Sequence, residues 1–266
     1  MSNQEKFVIL RRSRRVWAVA AIHGDAERLD ALHHELGRRF ADGDRLVYLG
    51  NYLGYGAAVR ATVDGLLAFR RWLLARPDMF TFDIAYLRGS QEEMWQKLLQ
   101  LQFAPNPREV LAWMLEQGVD ATLTAYGGNV QQGLNHARDG ALALTRWTGS
   151  LRAAMQAAPG HYALMSALRR AAYTDDGALL FVHAGIDPDR PLSAQSDSFW
   201  WGDGRFARLN QAYGGFNRVV RGFDRTHAGV QTTPFTTSID AGCGFGGPLV
   251  AACFDLRGEI VDLIEI

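Results

Sequence analysis

Two histidines of this chain are placed for metal chemistry. His23 follows the apolar run 16–22 and precedes Gly24, and His183 follows the apolar run 178–182 and precedes Ala184 and Gly185. Imidazole is a common ligand of first-row transition metals, and an adjacent glycine lets the backbone approach a bound group closely. The alternative is that each histidine only caps its strand through backbone hydrogen bonds, and this is the favoured interpretation for an isolated histidine.

Three further polar loops also follow apolar runs, at residues 50–56, 88–92 and 221–227. In open α/β sheets, ligands bind at the carboxyl ends of the strands. We therefore expect these loops and the two histidine loops to form one site.

The elements that would position these loops follow from hydrophobic periodicity. Residues 16–21 predict a buried strand, and Asp25 predicts the cap of a helix with apolar residues at helical spacing. Strands are predicted at 45–49 and 81–87, with a helix between them that ends before Pro77. Residues 93–172 predict mostly helices, and strands return at 178–182, 218–220, 237–240, 249–254 and 259–264. The alternation predicts an α/β protein with a largely parallel sheet.

Composition excludes several classes of protein. The 266 residues carry 28 Lys plus Arg and 28 Asp plus Glu, so no net charge attracts nucleic acid or an anionic membrane. The cysteines are Cys243 and Cys253, too few for a disulfide scaffold or a thiolate metal site. No apolar run approaches the roughly 20 residues that span a bilayer. We expect a cytoplasmic protein with neither nucleic acid nor membrane as a partner.

The order of the loops resembles the calcineurin-like metallophosphoesterases, in the bacterial phosphoprotein phosphatase branch that includes diadenosine tetraphosphatases. The family pattern Gly-Asp-x-His-Gly aligns with residues 20–24, Gly-Asp-x-x-Asp-Arg-Gly with 50–56, and Arg-Gly-Asn-His-Glu with 88–92. GVDATLTAYG at 118–127 and FVHAGIDPDRPLSAQ at 181–195 are similar to two further family blocks. Residues 239–249 resemble the strand pair that closes the family's β-sandwich. The resemblance implies a four-layer α/β/β/α fold, with residues 1–266 forming one domain and a helical insert at about 93–175.

The chain departs from this family at the side chains that hold metal and phosphate. The resemblance implies two metal ions held by aspartates, histidines and an asparagine, with arginines directed at the phosphate. His23, Glu92 and His183 remain of that set. The departures, which include the metal-bridging aspartate at Asn51 and the general-acid histidine at Gln91, are Ala21, Asn51, Gly54, Tyr55, Ser90, Gln91, Asp203 and Phe223.

We therefore expect a pseudophosphatase with a binding or regulatory role and no bound metal, in which His23 and His183 are at most weak ligands. The alternative is a phosphoprotein or nucleotide hydrolase with a rebuilt or single-metal site that uses Mn, Fe or Zn. A third possibility is a structural subunit that oligomerises through the helical insert. The partner could be a protein or a small ligand.

Three further local patterns can be interpreted. A rebuilt site could recruit nearby polar residues, among them Asp25, Asp224 and His227. The aromatic residues Tyr55, Trp200, Trp201 and Phe223 would either fill the former cleft as core or line an apolar pocket. The glycine-rich run 242–247 predicts a turn, because a proline and an apolar strand follow it where a dinucleotide loop needs a helix.

Overall fold

The computed structural model describes residues 6–202 and 204–266, which contain two β-sheets. Their strands are β1 (Phe7–Leu10), β2 (Arg15–Val19), β3 (Asp44–Tyr48), β4 (Ile84–Tyr86), β5 (Ala171–Thr174), β6 (Leu179–Val182), β7 (Arg218–Arg221), β8 (Gln231–Thr232), β9 (Thr236–Ser238), β10 (Val250–Phe254) and β11 (Ile260–Glu265). One sheet has the strand order β1-β5-β6-β7-β9-β8, and the other has the order β11-β10-β2-β3-β4.

Nine α-helices are present in the same described residues. They are α1 (Ala26–Arg39), α2 (Val59–Leu74), α3 (Ser90–Leu98), α4 (Pro107–Glu116), α5 (Val119–Ala125), α6 (Val130–Asp139), α7 (Ala141–Ala157), α8 (His161–Ala167) and α9 (Ser198–Trp201). None of the described helices is long and apolar enough to cross a membrane.

The two sheets pack face to face. Along β2, successive side chains alternate between the core inside the sandwich and the core outside it. Val16 and Ala18 belong to the core between the sheets, whereas Trp17 and Val19 belong to the core that the helices cover. Successive side chains of a strand point to opposite faces, so a strand buried on both faces reads as a continuous apolar run. The Phe181 and Phe254 rings meet across the sandwich at 6.1 Å.

The two outer faces are covered differently. Helices α1 to α8 contribute to the core on the outer face of the five-stranded sheet. Residues 186–216, which include α9, cover the outer face of the other sheet with side chains such as Phe199 and Phe206. The α/β class with two sheets is confirmed, and one outer layer is built mainly of loops and short helical turns.

Several predicted boundaries were wrong for identifiable reasons. Helix α3 begins at Ser90, and the predicted helical run ends early because residues 171–174 form β5, which pairs with β1 and β6. Residues 81–83 form a 3₁₀ turn in place of a strand, and Asp83 there pairs with Arg45 at 2.8 Å. Residues 239–249 are not a strand pair, because β9 and β10 belong to opposite sheets and residues 242–247 turn between them.

Candidate functional site

The predicted loops meet at one edge of the sandwich. The backbone N–H of Ala21 donates to the Gly222 carbonyl at 2.9 Å, and that of Phe223 donates to the His183 carbonyl at 2.9 Å. Ile22 and His23 both donate from their backbone N–H groups to the Asn51 carbonyl, at 3.0 and 2.7 Å. Backbone bonds between the loops therefore hold the candidate site together.

His183 is fully buried and has one ring nitrogen without a partner. Its Nδ1 lies 2.6 Å from the Leu49 carbonyl oxygen, which can only accept, so Nδ1 carries the proton. Nε2 is left as a buried acceptor with no hydrogen-bond partner in the described residues. Burial lowers the pKa of His183 to about 4, although the bond to Leu49 opposes the shift. The ring is neutral at physiological pH.

His23 lies beneath other rings in a left-handed backbone conformation, with φ at +53°. Its Nε2 is 3.4 Å from Asn51 Nδ2, and its Nδ1 is buried without a partner among the described residues. Burial, then the neighbouring His183 and His227, lower the pKa of His23 to about 3. Both surviving histidines are therefore neutral bases in an apolar setting.

The side-chain oxygen of Asn51 accepts two hydrogen bonds from the start of α3. Its Oδ1 accepts hydrogen bonds from Ser90 Oγ at 3.1 Å and from the Gln91 backbone N–H at 3.0 Å. Both donors belong to the first turn of α3, whose N–H groups have no partner within the helix. The oxygen at the position of the family's bridging aspartate thus caps a helix.

Glu92 anchors the loop after β3 to the same helix. Its two oxygens accept backbone hydrogen bonds from Asn51, Tyr52, Leu53 and Gly89 at 2.8 to 3.1 Å. Burial raises the pKa of Glu92, and the four N–H donors oppose that shift. The hydrogen bonds that the described residues make to this carboxylate all come from backbone N–H groups. Glu92 therefore stabilises the fold of the loop and the start of the helix.

Gln91 replaces the expected general-acid histidine and faces away from solvent. Its Nε2 donates to the Gln117 carbonyl at 2.7 Å, and its Oε1 has no partner among the described residues. Gly54 lies directly against this side chain with φ at +82°, and a Cβ added there would collide with Oε1 of Gln91. The chain therefore has no room at Gly54 for the aspartate that the resemblance places there.

Six rings cover the site and contact one another. We call this set the six-ring cluster; it consists of His23, Tyr55, His183, Phe223, His227 and Phe245. The His23 ring meets the rings of Tyr55, Phe223 and Phe245 edge-on, at centroid distances of 5.2, 5.7 and 5.1 Å. Phe245 also packs on Tyr55 at 4.5 Å and stacks on His227 at 4.4 Å. Phe245 could not be predicted as a site residue, because it lies in the turn 242–247 and only the fold brings it to this edge.

The residues that could rebuild a metal site have other partners. Asp25 caps α1 through the Arg28 N–H and also pairs with the Arg28 guanidinium at 2.7 Å. Asp224 forms an ion pair with Arg221. His227 Nδ1 lies 2.8 Å from Asp240 Oδ2.

Two other predicted residues do not join the cluster. Trp200 packs in the core outside the six-stranded sheet, and Trp201 meets Trp113 edge-on at 5.7 Å. The predicted site residue Asp203 lies outside the described residues.

The donor set does not fit the binuclear metal centre that the fold implies. Among residues 6–202 and 204–266, no group of three or more His, Cys, Asp or Glu side chains is arranged to hold a metal ion. In the resemblance drawn from the sequence, the first and the bridging aspartates are replaced by the neutral Ala21 and Asn51, and the last histidine ligand is replaced by Phe223. Neutral nitrogen ligands alone do not offset the repulsion of two adjacent dications.

Sequence comparison finds no matching protein-family model and no matching curated protein. Structural comparison finds a protein classed as a diadenosine tetraphosphatase, at 18% identity and a TM-score of 0.58 over 98% of this chain and 97% of that chain. A cold-active protein tyrosine phosphatase matches at 13% identity and a TM-score of 0.50 over 100% of this chain and 83% of that one. A metallophosphoesterase from Sphaerobacter thermophilus matches at 15% identity and a TM-score of 0.49, over 96% and 88% of the two chains. Likeness at such low identity shows the fold alone, and the first of these matches supports the fold of the calcineurin-like metallophosphoesterases for this chain.

Proposed function

We propose that this chain is a pseudophosphatase, a metallophosphoesterase fold that serves a binding or regulatory role. The observation that carries the proposal is the hydrogen bonding of Asn51. Its Oδ1 accepts from both Ser90 and Gln91, the two residues that replace a metal ligand and a general acid. Asn51 Oδ1 is therefore occupied by the Ser90 side chain and the Gln91 backbone, and the former metal position has become a helix cap.

Electrostatics also supports this function. Two dications about 4 Å apart repel by roughly 16 kcal/mol at an effective dielectric near 20, so a binuclear site needs anionic bridging ligands. Ala21 and Asn51 supply no negative charge, and Glu92 is engaged by four backbone N–H groups. These three positions therefore supply no bridging charge for a second metal ion.

The six-ring cluster makes the surroundings of His23 largely apolar. Tyr55, Phe223 and Phe245 surround His23, which is 1% exposed. An apolar environment of this kind disfavours a phosphate dianion, which needs cationic or N–H donors. We infer that this edge binds a protein or a small apolar ligand in preference to a phosphate ester.

The alternative is a phosphoprotein or nucleotide hydrolase that uses a single metal ion. One specific observation favours it, because His23 Nδ1 and His183 Nε2 are both buried without hydrogen-bond partners among the described residues. Buried polar nitrogens of this kind are uncommon in proteins and are one sign of a ligand position. A catalytic zinc site, however, normally has three protein ligands, and the contacts of Asn51 leave no obvious third.

The deciding experiment combines metal analysis with turnover. Protein purified without added metal or chelator is analysed for Mn, Fe and Zn, and is then assayed on p-nitrophenyl phosphate and on dinucleoside polyphosphates with added Mn²⁺. The proposal predicts less than one metal ion per chain and no hydrolysis above a buffer control. Turnover that EDTA abolishes and that His183→Asn also abolishes would establish the hydrolase alternative in its place.

A further inference from the structure

A large groove lies away from the candidate site, where the two sheets expose their edge strands. β1 is the last strand of one sheet and β4 is the last strand of the other. Residues of both strands line the groove, together with residues of α2 and of the segment 160–169, and its volume is about 1170 Å³. No member of the six-ring cluster lines it, so the groove is separate from the site described above.

Part of the lining of the groove is apolar, and Leu67, Ile84, Leu164 and Phe82 contribute to it. The ring of Phe82 stacks at 5.3 Å on that of Phe80, which is outside the lining, and the two residues are 50% and 54% exposed. Two stacked aromatic rings left half in water leave apolar area that a ligand could cover. The groove is also at or above the size of typical small-molecule sites.

The charged side chains that line the groove in the described structure are all positive. Arg11, Arg70 and Arg169 line it, and no Asp or Glu is among the lining residues that the structure describes. The nearby Asp83 is buried and paired with Arg45 at 2.8 Å, so it does not neutralise the groove. Arg11 and Arg70 form no ion pair with any described residue, and Arg169 donates to the Ala167 carbonyl at 2.8 Å. In a chain with zero net charge, this local excess of arginine is a specific feature.

We propose that this groove binds an anionic amphiphile, a molecule with a carboxylate or phosphate head and an apolar chain. The unpaired guanidinium groups would hold the head, because arginine binds carboxylate and phosphate oxygens through paired N–H donors. Leu67, Ile84 and Phe82 would cover the apolar chain and remove it from water. A cation of the same length would meet three positive charges and no negative one among the described lining residues.

The test compares three probes with the same alkyl chain, titrated into the full-length protein by calorimetry below their micelle concentrations. The probes are decanoate, decyl phosphate and decyltrimethylammonium. The proposal predicts saturable binding of at least one anion and no saturable binding of the cation. Which anion binds more tightly distinguishes a carboxylate ligand from a phosphate ester.

Two matched variants assign the binding to the groove. Arg70→Gln removes a lining guanidinium and is expected to weaken anion binding about fivefold. Arg71→Gln, one residue along the same helix and outside the lining, is expected to change it less than about twofold. Equal binding of all three probes, binding of none, or equal effects of the two variants would overturn the proposal. Binding of a glutamate-rich peptide where both alkyl anions fail would also overturn it, and would point to a protein partner.

Discussion

The ring of Phe223 lies parallel to the imidazole of His183, with an interplanar angle of 4° and centroids 5.2 Å apart. In the resemblance drawn from the sequence, position 223 carries the last metal-ligating histidine. The phenyl ring there packs on the surviving histidine where an imidazole would share a metal ion with it. The two rings thus pack against each other at the place where the resemblance puts a pair of metal ligands.

Glu92 is expected to contribute strongly to folding stability, because four backbone N–H groups depend on its two oxygens. Glu92→Gln replaces one accepting oxygen by an NH₂ group that faces buried donors. We expect this change to lower the free energy of unfolding by about 3 kcal/mol. Urea denaturation followed by circular dichroism measures it.

The neighbouring Glu93 provides the matched control. It pairs with Arg88 at 3.2 Å and with Lys97 at 3.6 Å near the surface. Glu93→Gln is expected to cost no more than about 1 kcal/mol. Equal losses from the two substitutions would show that Glu92 has no special role in holding the loop after β3.

Local sequence signals were enough to predict the five-stranded sheet, the helices that follow its strands and the loops of the site. Apolar runs end at His23, Asn51 and His183, and the structure places all three at one edge of the sandwich. β1 and β5 could not be predicted in the same way. Each is four residues long, and β5 follows a long helical segment without a marked boundary.

The part of the site that sequence reasoning missed depends on contacts between distant segments. Phe245 reaches His23 from a turn more than two hundred residues away in the chain. Likewise, the resemblance implies that Asn51 and Ser90 replace metal ligands and that Gln91 replaces a general acid. It does not indicate that Asn51 Oδ1 accepts hydrogen bonds from the other two residues. Hydrogen bonds between distant segments produce no hydrophobic periodicity and no local sequence motif, so they could not be predicted.

Acidification is expected to destabilise the protein through its buried histidines. Burial lowers the pKa of His183 from 6.5 to about 4, so the folded state favours the neutral ring. Its contribution to stability is complete above pH 6.5 and is lost as the pH falls from 6.5 towards 4. Between pH 7.5 and 5.0 this single group should cost about 2 kcal/mol of unfolding free energy.

The histidine effect is isolated by substitution. His183→Asn keeps a nitrogen donor close to the Leu49 carbonyl and removes the titration. The loss of stability between pH 7.5 and 5.0 should therefore be about 2 kcal/mol smaller in this variant than in the wild type. His34→Gln, at an exposed position, serves as the control for the general effect of replacing a histidine. A variant that loses as much stability as the wild type would contradict the burial argument.

Gly54 is expected to resist substitution by any side chain. Its φ of +82° disfavours L-residues, and a Cβ there collides with Gln91. Gly54→Ala should lower the free energy of unfolding by about 3 kcal/mol. Gly127 has a similar φ of +77° with open space around it, so Gly127→Ala should cost only about 1 kcal/mol. The difference between the two variants in urea measures the contact with Gln91, and equal costs would show that this contact is not tight.

Calorimetric titration of Mn²⁺ tests the central claim, that the former metal positions have become a hydrogen-bonded and aromatic structure. The wild type is compared with a variant that carries Ala21→Asp, Asn51→Asp, Ser90→Asn, Gln91→His and Phe223→His, and with each single change. Because ligands act as a unit, we expect no saturable binding tighter than about 1 mM in the wild type or the single variants, and tighter binding only in the combined one. Two Mn²⁺ ions bound by the wild type as tightly as by the combined variant would contradict the account.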